Sequence, residues 1–361
     1  MTYFPKEAGT NLLHNGAMQV HQRGTSSTGI TTGNCYTADR WWVIPSSMGT
    51  WTNTVESDAP TGSGLRKSNK ILCTTADASP AAGDYMILRQ RLEGQDVQAL
   101  KKGTASAEPV TLSFWTKSNA TGTYVVELYD NDNARYVSAA YTVSSSGTWE
   151  YQSITFPGDA TGVFDNDAEA SLAIQFWLGA GSTFTSGTLS TVWATTAADR
   201  AAGQTNLAAA TNNYWQVTGV QLEPGTAASP FQFKSYGLEL IEAQRYYQKF
   251  WSDSALSGNG AYIASGQIYT GSAAYFELPL IQTMRTVPAL SYAGTITAGH
   301  YSYTGAAVTN LTTYGGSTPD VVTLYAENSG TAWIASTGWN CLKIGPSASP
   351  GTTYIAFSAD L

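Results

Sequence analysis

Short strand-like runs recur along the first two-thirds of this chain, and turn formers separate many of them. Trp41-Trp42-Val43-Ile44 is one such run, residues 70–73 are another, and 85–92 read as a longer one. Val110-Thr111-Leu112-Ser113-Phe114-Trp115 alternates with period two for most of its length, as a half-buried strand does. Residues 124–129, 149–156, 172–178 and 214–222 follow, many separated by Gly-, Asn- or Asp-rich text. Such spacing predicts a sandwich or jelly roll rather than βαβ units. Residues 96–101 read as a short helix. Composition points the same way: charged residues make up 12% of the 361, about half the usual share. The polar bulk is Ser, Thr, Asn and 35 Gly, a mixture that favours strands and turns.

One stretch breaks the pattern. Leu238-Glu239-Leu240-Ile241-Glu242-Ala243-Gln244 and the residues up to Phe250 are rich in helix formers. Tyr236, Leu240, Ala243, Tyr247 and Phe250 recur at helical spacing, as a stripe that packs on the protein's own sheet or forms a seam between identical chains. Beyond Trp251 charge thins further, and runs at 261–269, 274–280, 321–325, 333–334 and 354–357 predict a second β-sandwich. A domain with so little charge has little solubilising repulsion, which predicts burial in a homo-oligomer, with a trimer as the expected state. The expected architecture is mostly β. It has an arm (1–9), an N-terminal jelly-roll β-sandwich (10–232), a connecting helix (233–250) and a C-terminal β-sandwich (251–361).

Several function classes fall away. The net charge of −8 gives no cationic footprint for nucleic acid. No cationic stretch followed by an apolar one opens the chain, so no Sec-type signal is expected, and no apolar run reaches membrane-spanning length. Cys35, Cys73 and Cys341 are odd in number and far apart, which argues against a disulfide framework. His14, His21 and His300 have no partners at metal-ligand spacing, and no P-loop, nucleophile elbow or dinucleotide fingerprint occurs. No enzyme activity and no cofactor are expected. Two acidic clusters, Asp130-Asn131-Asp132 and Asp165-Asn166-Asp167 with Glu169, lie beside strand ends as turn residues do. The alternative is a structural calcium loop built on Asp165, Asp167 and Glu169; a glycosidase pair is a third reading.

The aromatics carry the remaining signal. Phe114-Trp115 and Phe176-Trp177 each place one ring toward the core and one outward. In the C-terminal region Tyr292, Tyr301, Tyr303 and Tyr314 sit in loop-like, Gly-containing text. They are candidate ligand-binding residues, able to stack on a neutral sugar while their hydroxyls hydrogen-bond. The other reading of these tyrosines is an oligomer interface.

The order of motifs resembles a class of tailed-bacteriophage virion proteins found in tail fibres and related receptor-binding components. The motifs are Asn11-Leu12-Leu13-His14-Asn15-Gly16-Ala17-Met18-Gln19 with Gln22-Arg23-Gly24, then Tyr36-Thr37-Ala38-Asp39-Arg40-Trp41-Trp42-Val43. Gln90-Arg91-Leu92-Glu93-Gly94-Gln95 and Val110 to Trp115 follow. Then come Val217-Thr218-Gly219-Val220-Gln221-Leu222-Glu223-Pro224-Gly225, Pro230-Phe231-Gln232 and Glu242-Ala243-Gln244-Arg245-Tyr246-Tyr247-Gln248-Lys249. Leu278-Pro279-Leu280, Met284-Arg285, Pro288 and the ending Phe357-Ser358-Ala359-Asp360-Leu361 complete the likeness. The resemblance implies a jelly roll like that of carbohydrate-binding modules, a short helix and a small C-terminal β domain. It also implies display on a virion made in the bacterial host's cytoplasm, with host surface glycan, other virion proteins and further copies of the chain as partners. A purely architectural fibre or capsid decoration and a polysaccharide depolymerase are the alternatives. The calcium-carrying modules of this type usually have an acid where this chain has Gln19, and Asp or Asn near Thr218 and Gly219.

Overall fold

Alternation in the strand sequences decides the first layer pair. In Val110–Ser118, Leu112, Phe114 and Thr116 point inward, while Ser113, Trp115 and Lys117 point outward. The computed structural model describes residues 10–33, 35–251, 261–270, 272–300, 306–328, 340–345 and 353–361. The chain divides into two units, 1–240 with 361, and 241–360. The paired strands are antiparallel throughout the described residues.

The first unit is a jelly-roll sandwich. One sheet runs in the order β1 (Ser26–Ile30), β3 (Thr50–Glu56), β4 (Ser68–Thr75), β11 (Tyr214–Pro224), β6 (Val110–Ser118), β9 (Glu150–Phe156). The facing sheet runs β2 (Trp42–Ser46), β5 (Tyr85–Glu93), β10 (Ala170–Ala180), β7 (Gly122–Asp130), β8 (Arg135–Val143). Trp41, Trp51, Trp215, Phe114 and Phe176 are fully buried between them. Each contributes roughly 1.5–3 kcal/mol through burial of its apolar surface. Residues 96–101 fall in a helical turn, Gly94–Val97, that tightens into Gln98–Leu100.

The motif residues of the sequence prove to be buried polar brackets. The Asn11 carboxamide accepts from the backbone of Leu13 and Leu222 and donates to the Val220 carbonyl. The Asn15 carboxamide closes on Val20 and Asp39, and the Asn15 backbone N–H donates to Glu239 at 2.7 Å. Gln90 holds both backbone groups of His14. Gln221 and Glu223 tie down Ser229 and Gln232. Each satisfies a buried donor or acceptor that would otherwise cost about 1–3 kcal/mol.

The helix is shorter than its sequence predicts. It spans Tyr236–Gln244, and the chain then becomes a strand, β12 (Tyr247–Trp251). Tyr246, Tyr247, Phe250 and Trp251 are aromatics that lose side-chain freedom in a helix and suit a pleated surface. Pairing of Tyr247 with Ser358 and Trp251 with Tyr354 fixes the strand. The second sandwich therefore begins at Tyr247, not after it.

That sandwich packs a three-stranded sheet against a seven-stranded one. The first has the order β12, β21 (Tyr354–Ser358), β15 (Ala289–Ala293). The second runs β17 (Ala306–Ala307), β16 (Ile296–His300), β20 (Asn340–Ile344), β13 (Ala261–Thr270), β14 (Ala273–Pro279), β19 (Val321–Glu327), β18 (Asn310–Thr313). Its core holds Phe276, Leu278, Val322, Leu324, Leu342, Ile355 and Phe357. Gly266 is required by close approach, because a Cβ there would lie 1.9 Å from the Tyr275 carbonyl oxygen. Gly266→Ala is expected to lower stability by about 1–3 kcal/mol, as overpacking does. Denaturant unfolding of the full chain measures it, and an unchanged midpoint would contradict the strand spacing described.

Candidate functional site

Outward-facing aromatics occur on several sheet faces, and their surroundings differ. On the five-stranded sheet of the jelly roll, Trp177 points outward as expected but is only 2% exposed. The segment between β10 and β11 roofs it. Ala194 and Tyr136 exchange backbone hydrogen bonds, the Thr205 N–H donates to Thr123, and Gln204 accepts from Val125. Arg200 descends from this roof among Tyr129, Tyr136, Trp177 and Phe184, with ring centroids 4.7–5.8 Å from its guanidinium carbon. It donates to both oxygens of fully buried Glu127, at 2.8 and 2.6 Å. Gln175 donates to the same carboxylate at 2.6 Å and accepts from Arg89. Burial pushes the Glu127 carboxyl up, and the hydrogen bonds and charge of Arg200 offset part of that. Toward β2, Tyr36 stacks on Trp42 at 5.9 Å, with Arg23 over the first ring and Arg91 over the second. The rings on this face are thus engaged by the protein's own cations.

On the six-stranded sheet, Trp115 faces outward beside Tyr151 at 5.3 Å, and Trp149 lies under Lys117, which pairs with Asp58. The Phe114–Trp115 split between core and surface is as expected.

The seven-stranded sheet presents a further group of rings. Its inward positions, Ala274, Phe276, Leu278, Val322, Leu324 and Ala326, fill the core. Period two therefore turns Tyr275, Glu277, Thr323, Tyr325 and Glu327 to the other face. Tyr275 is paired with Tyr325 and with Gln267 in the strand register. Tyr269, Tyr275, Tyr314 and Tyr325 form one cluster. Centroid distances are 5.6 Å (Tyr269–Tyr275), 4.9 Å (Tyr275–Tyr314), 5.1 Å (Tyr275–Tyr325) and 6.1 Å (Tyr314–Tyr325). Tyr269 is 73% and Tyr314 51% exposed. The Glu327 carboxylate accepts from the Tyr325 hydroxyl at 3.2 Å and from the Asn310 amide at 2.7 Å. Desolvation within the cluster, then Tyr314 for Tyr275 and Glu327 for Tyr325, pushes these two phenols above their ordinary value. Both remain neutral donors through the physiological range. The face offers flat apolar rings, hydroxyls, an amide and carboxylates, which is chemistry for a polyhydroxylated ligand.

Of the four tyrosines singled out in the sequence, the structure places Tyr314 in this cluster. Tyr292 sits on β15 of the other sheet, where its hydroxyl accepts from the Leu311 N–H at 3.3 Å. Tyr301 and Tyr303 lie outside the described residues. Tyr269, Tyr275 and Tyr325 were not foreseen. The available signal was the repeated Tyr-x-Glu of Tyr275-Phe276-Glu277 and Tyr325-Ala326-Glu327, which puts ring and carboxylate on one strand face.

The other site expectations change. Asp165, Asp167 and Glu169 do not gather as metal ligands, and no group of three His, Cys, Asp or Glu among the described residues does. They shape a turn instead: the Asp167 carboxylate accepts the Glu169 N–H, and the Asp167 and Glu169 carbonyls accept from Gln95 and Gly94. The neighbouring acids already hold a cation. The Lys102 ammonium contacts Asp130 and Asp159 carboxylates at 2.5 and 3.0 Å, and the Thr161 and Gly162 carbonyls at 3.2 and 2.9 Å. The stripe of Tyr236, Leu240, Ala243, Tyr247 and Phe250 does not form one helical seam, because its last two members lie on β12. Ala243 and Tyr247 are buried in their own chain, and Phe250 packs on Phe357 at 6.0 Å.

No protein-family model matches the sequence, and no curated protein matches it. Solved structures similar to it include the enzymatically active domain of bacteriophage CBA120 tailspike protein 4, at 13% identity and TM-score 0.32. That match covers 59% of this chain and 21% of the tailspike chain, so this chain spans about a fifth of its length. A CBM4 structure matches at 17% identity and TM-score 0.29, covering 58% of this chain and 97% of that one. The CBM22-1–CBM22-2 tandem domain of Paenibacillus barcinonensis Xyn10C matches at 12% identity and TM-score 0.31, covering 99% and 98%. Identities and scores this low leave the functional reading to the chain's own residues.

Proposed function

We propose that this protein is a non-catalytic virion component of a tailed phage, of tail-fibre type, that contacts glycan on the host surface through the tyrosine face of its C-terminal sandwich. One observation carries the binding role: four clustered tyrosines stand on the outward face of a sheet whose core is complete without them. The cross-strand pair Tyr275–Tyr325 adds a little to sheet stability, but that does not account for Tyr269 and Tyr314, which stand exposed beside it, and a cluster of aromatics with exposed members marks a contact surface. The order of motifs supports the virion role. The jelly roll, whose five-stranded face is roofed and cation-filled, serves as the scaffold. Individual contacts would be weak, and several copies on one virion raise avidity through effective concentration.

The test is glycan-array and host-cell binding by the full chain. The double variant Tyr275→Ala/Tyr325→Ala is expected to lose roughly 30-fold or more in binding, as truncation of central aromatic anchors does. Tyr275→Phe is expected to retain most of it. Unaltered binding by a folded double variant would exclude this face. Release of reducing ends from host polysaccharide by the purified protein would replace the binding role with a depolymerase. Binding to other virion proteins alone would leave an architectural one.

A further inference from the structure

We infer that the tyrosine face is built for a glycan bearing a protonated amine, an amino sugar with its nitrogen unacylated, in preference to a neutral or acidic one. The inference rests on the binding role proposed above and narrows its ligand. Two outward carboxylates flank the Tyr275–Tyr325 pair along the strands. Glu277 is exposed, opposite Ser265 on one side and Thr323 on the other. Glu327 lies opposite Ala273 and Asn310, held by the Asn310 amide and the Tyr325 hydroxyl.

Among the described residues of this sandwich no cation pairs with them, and Lys249, on β12 of the three-stranded sheet, sits over Tyr354 at 4.4 Å. Strands β13, β14, β19 and β18 contain no Lys or Arg at all, and between 261 and 361 the sequence has only Arg285 and Lys343. Arg285 donates to the carbonyls of Ala359 and Asp360. Lys343, on β20, sits over Tyr262 at 5.6 Å, opposite the far end of β13 from Tyr269. The titratable groups on this face are thus Tyr262, Tyr269, Tyr275, Glu277, Tyr314, Tyr325, Glu327 and Cys341, with Lys343 at its margin; the Cys341 thiol, opposite Ser265, is pushed up by burial. Ring faces and carboxylates both attract an ammonium group, and a carboxylated sugar would meet like charge. The rings supply the stacking surface that any pyranose uses; the two glutamates supply the discrimination.

The experiment compares glucosamine oligosaccharides with their fully N-acetylated counterparts, using the full chain and isothermal calorimetry. At about pH 6 the free amine is charged, because such amines titrate near 8, like an α-amino group. The expected result is about tenfold tighter binding of the glucosamine oligomer at this pH. The gap should close at about pH 9, where the ligand loses its charge while the tyrosines, raised above their usual value, keep their protons. It should also close in Glu277→Gln/Glu327→Gln but not in Asp165→Asn, which removes a negative charge from the jelly roll. Equal binding of the two oligomers at both pH values, abolished by Tyr275→Ala/Tyr325→Ala, would overturn the amine preference and leave the glycan role standing. Binding of no sugar on the array or in the calorimeter would remove both. Tighter binding of an oligolysine of matched charge would overturn the sugar assignment in favour of a basic peptide.

Discussion

Arg200→Ala is expected to cost the jelly roll about 3–5 kcal/mol, because it leaves the Glu127 carboxylate buried without its charge partner. Gln175 would still donate one hydrogen bond, and Arg89 would still act through Gln175, but neither restores the bidentate pair. The loss is also one of packing, since the guanidinium is the filler among Tyr129, Tyr136, Trp177 and Phe184. In a unit of this size the change corresponds to a fall in Tm of roughly 6–20 °C. Arg200→Lys retains a charge but not the fork, and should fall between the two. Replacing both partners, as Glu127→Met/Arg200→Met, should recover much of the loss, because apolar residues suit a site lined by aromatic rings. Thermal unfolding of the full chains, followed by tryptophan emission, measures all three variants against the native protein. A loss below about 1 kcal/mol for Arg200→Ala would mean that the pair is solvated and the roof loosely held.

Lys102→Ala should be comparably damaging, at about 3–5 kcal/mol, and its signature is in the pH dependence. Lys102 is buried and separates two buried carboxylates, those of Asp130 and Asp159. In the native protein burial raises the Asp159 carboxyl, but Arg135, the Thr161 N–H and Lys102 outweigh it and hold it below its ordinary value. A depressed carboxyl stabilises the fold above its unfolded value, near 3.9, and that contribution is lost as pH falls through the lower folded value. The native jelly roll should therefore hold its stability down to about pH 4 with respect to this group. In Lys102→Ala two carboxylates face each other without the ammonium, although Arg135 still pairs with Asp159. Their repulsion weakens the variant most where both are ionised, so the stability gap between native protein and variant should narrow as pH falls toward about 4. A gap that stays constant over that range would contradict the account.

Much of the architecture was legible because strands announce their faces. Val110 to Trp115 alternates, and each of its inward residues is where the core needs it. The helix boundary was not legible, because Tyr247 and Phe250 satisfy a helical spacing and a strand's aromatic preference equally well, and only pairing with β21 decides between them. The roof between β10 and β11 was missed for a related reason. It has little regular structure, and its anchor is a single arginine whose partner lies 73 positions earlier. The residues of the motifs that carry the phage resemblance hold the fold together and say little about ligand. Asn11, Asn15, Gln90, Gln221 and Gln248 are buried clamps, the last bridging Gln244, Ile281 and Gln282. Even Gly94, in the Gln90 to Gln95 motif, is there for close approach, since a Cβ would lie 2.0 Å from the Asp165 carbonyl oxygen. The tyrosine cluster escaped because its members are 56 residues apart at the extremes and meet only through strand order. Tyr314 was found by its glycine-rich setting; Tyr275 and Tyr325 look in sequence like ordinary strand residues.

Period-two alternation in β14 and β19 also separates two kinds of selection within a single strand. Phe276, Leu278, Val322 and Leu324 answer to the interior, while Tyr275, Glu277, Thr323 and Tyr325 answer only to whatever lies outside. A substitution at an outward position leaves the packed volume of the interior untouched, so it escapes the cost that purges most core changes. Side chains on that face can then be exchanged one at a time while the sheet beneath them persists. A lineage following a changing surface would accumulate its differences at alternate residues, and two descendants with unlike outward rows would still share one backbone.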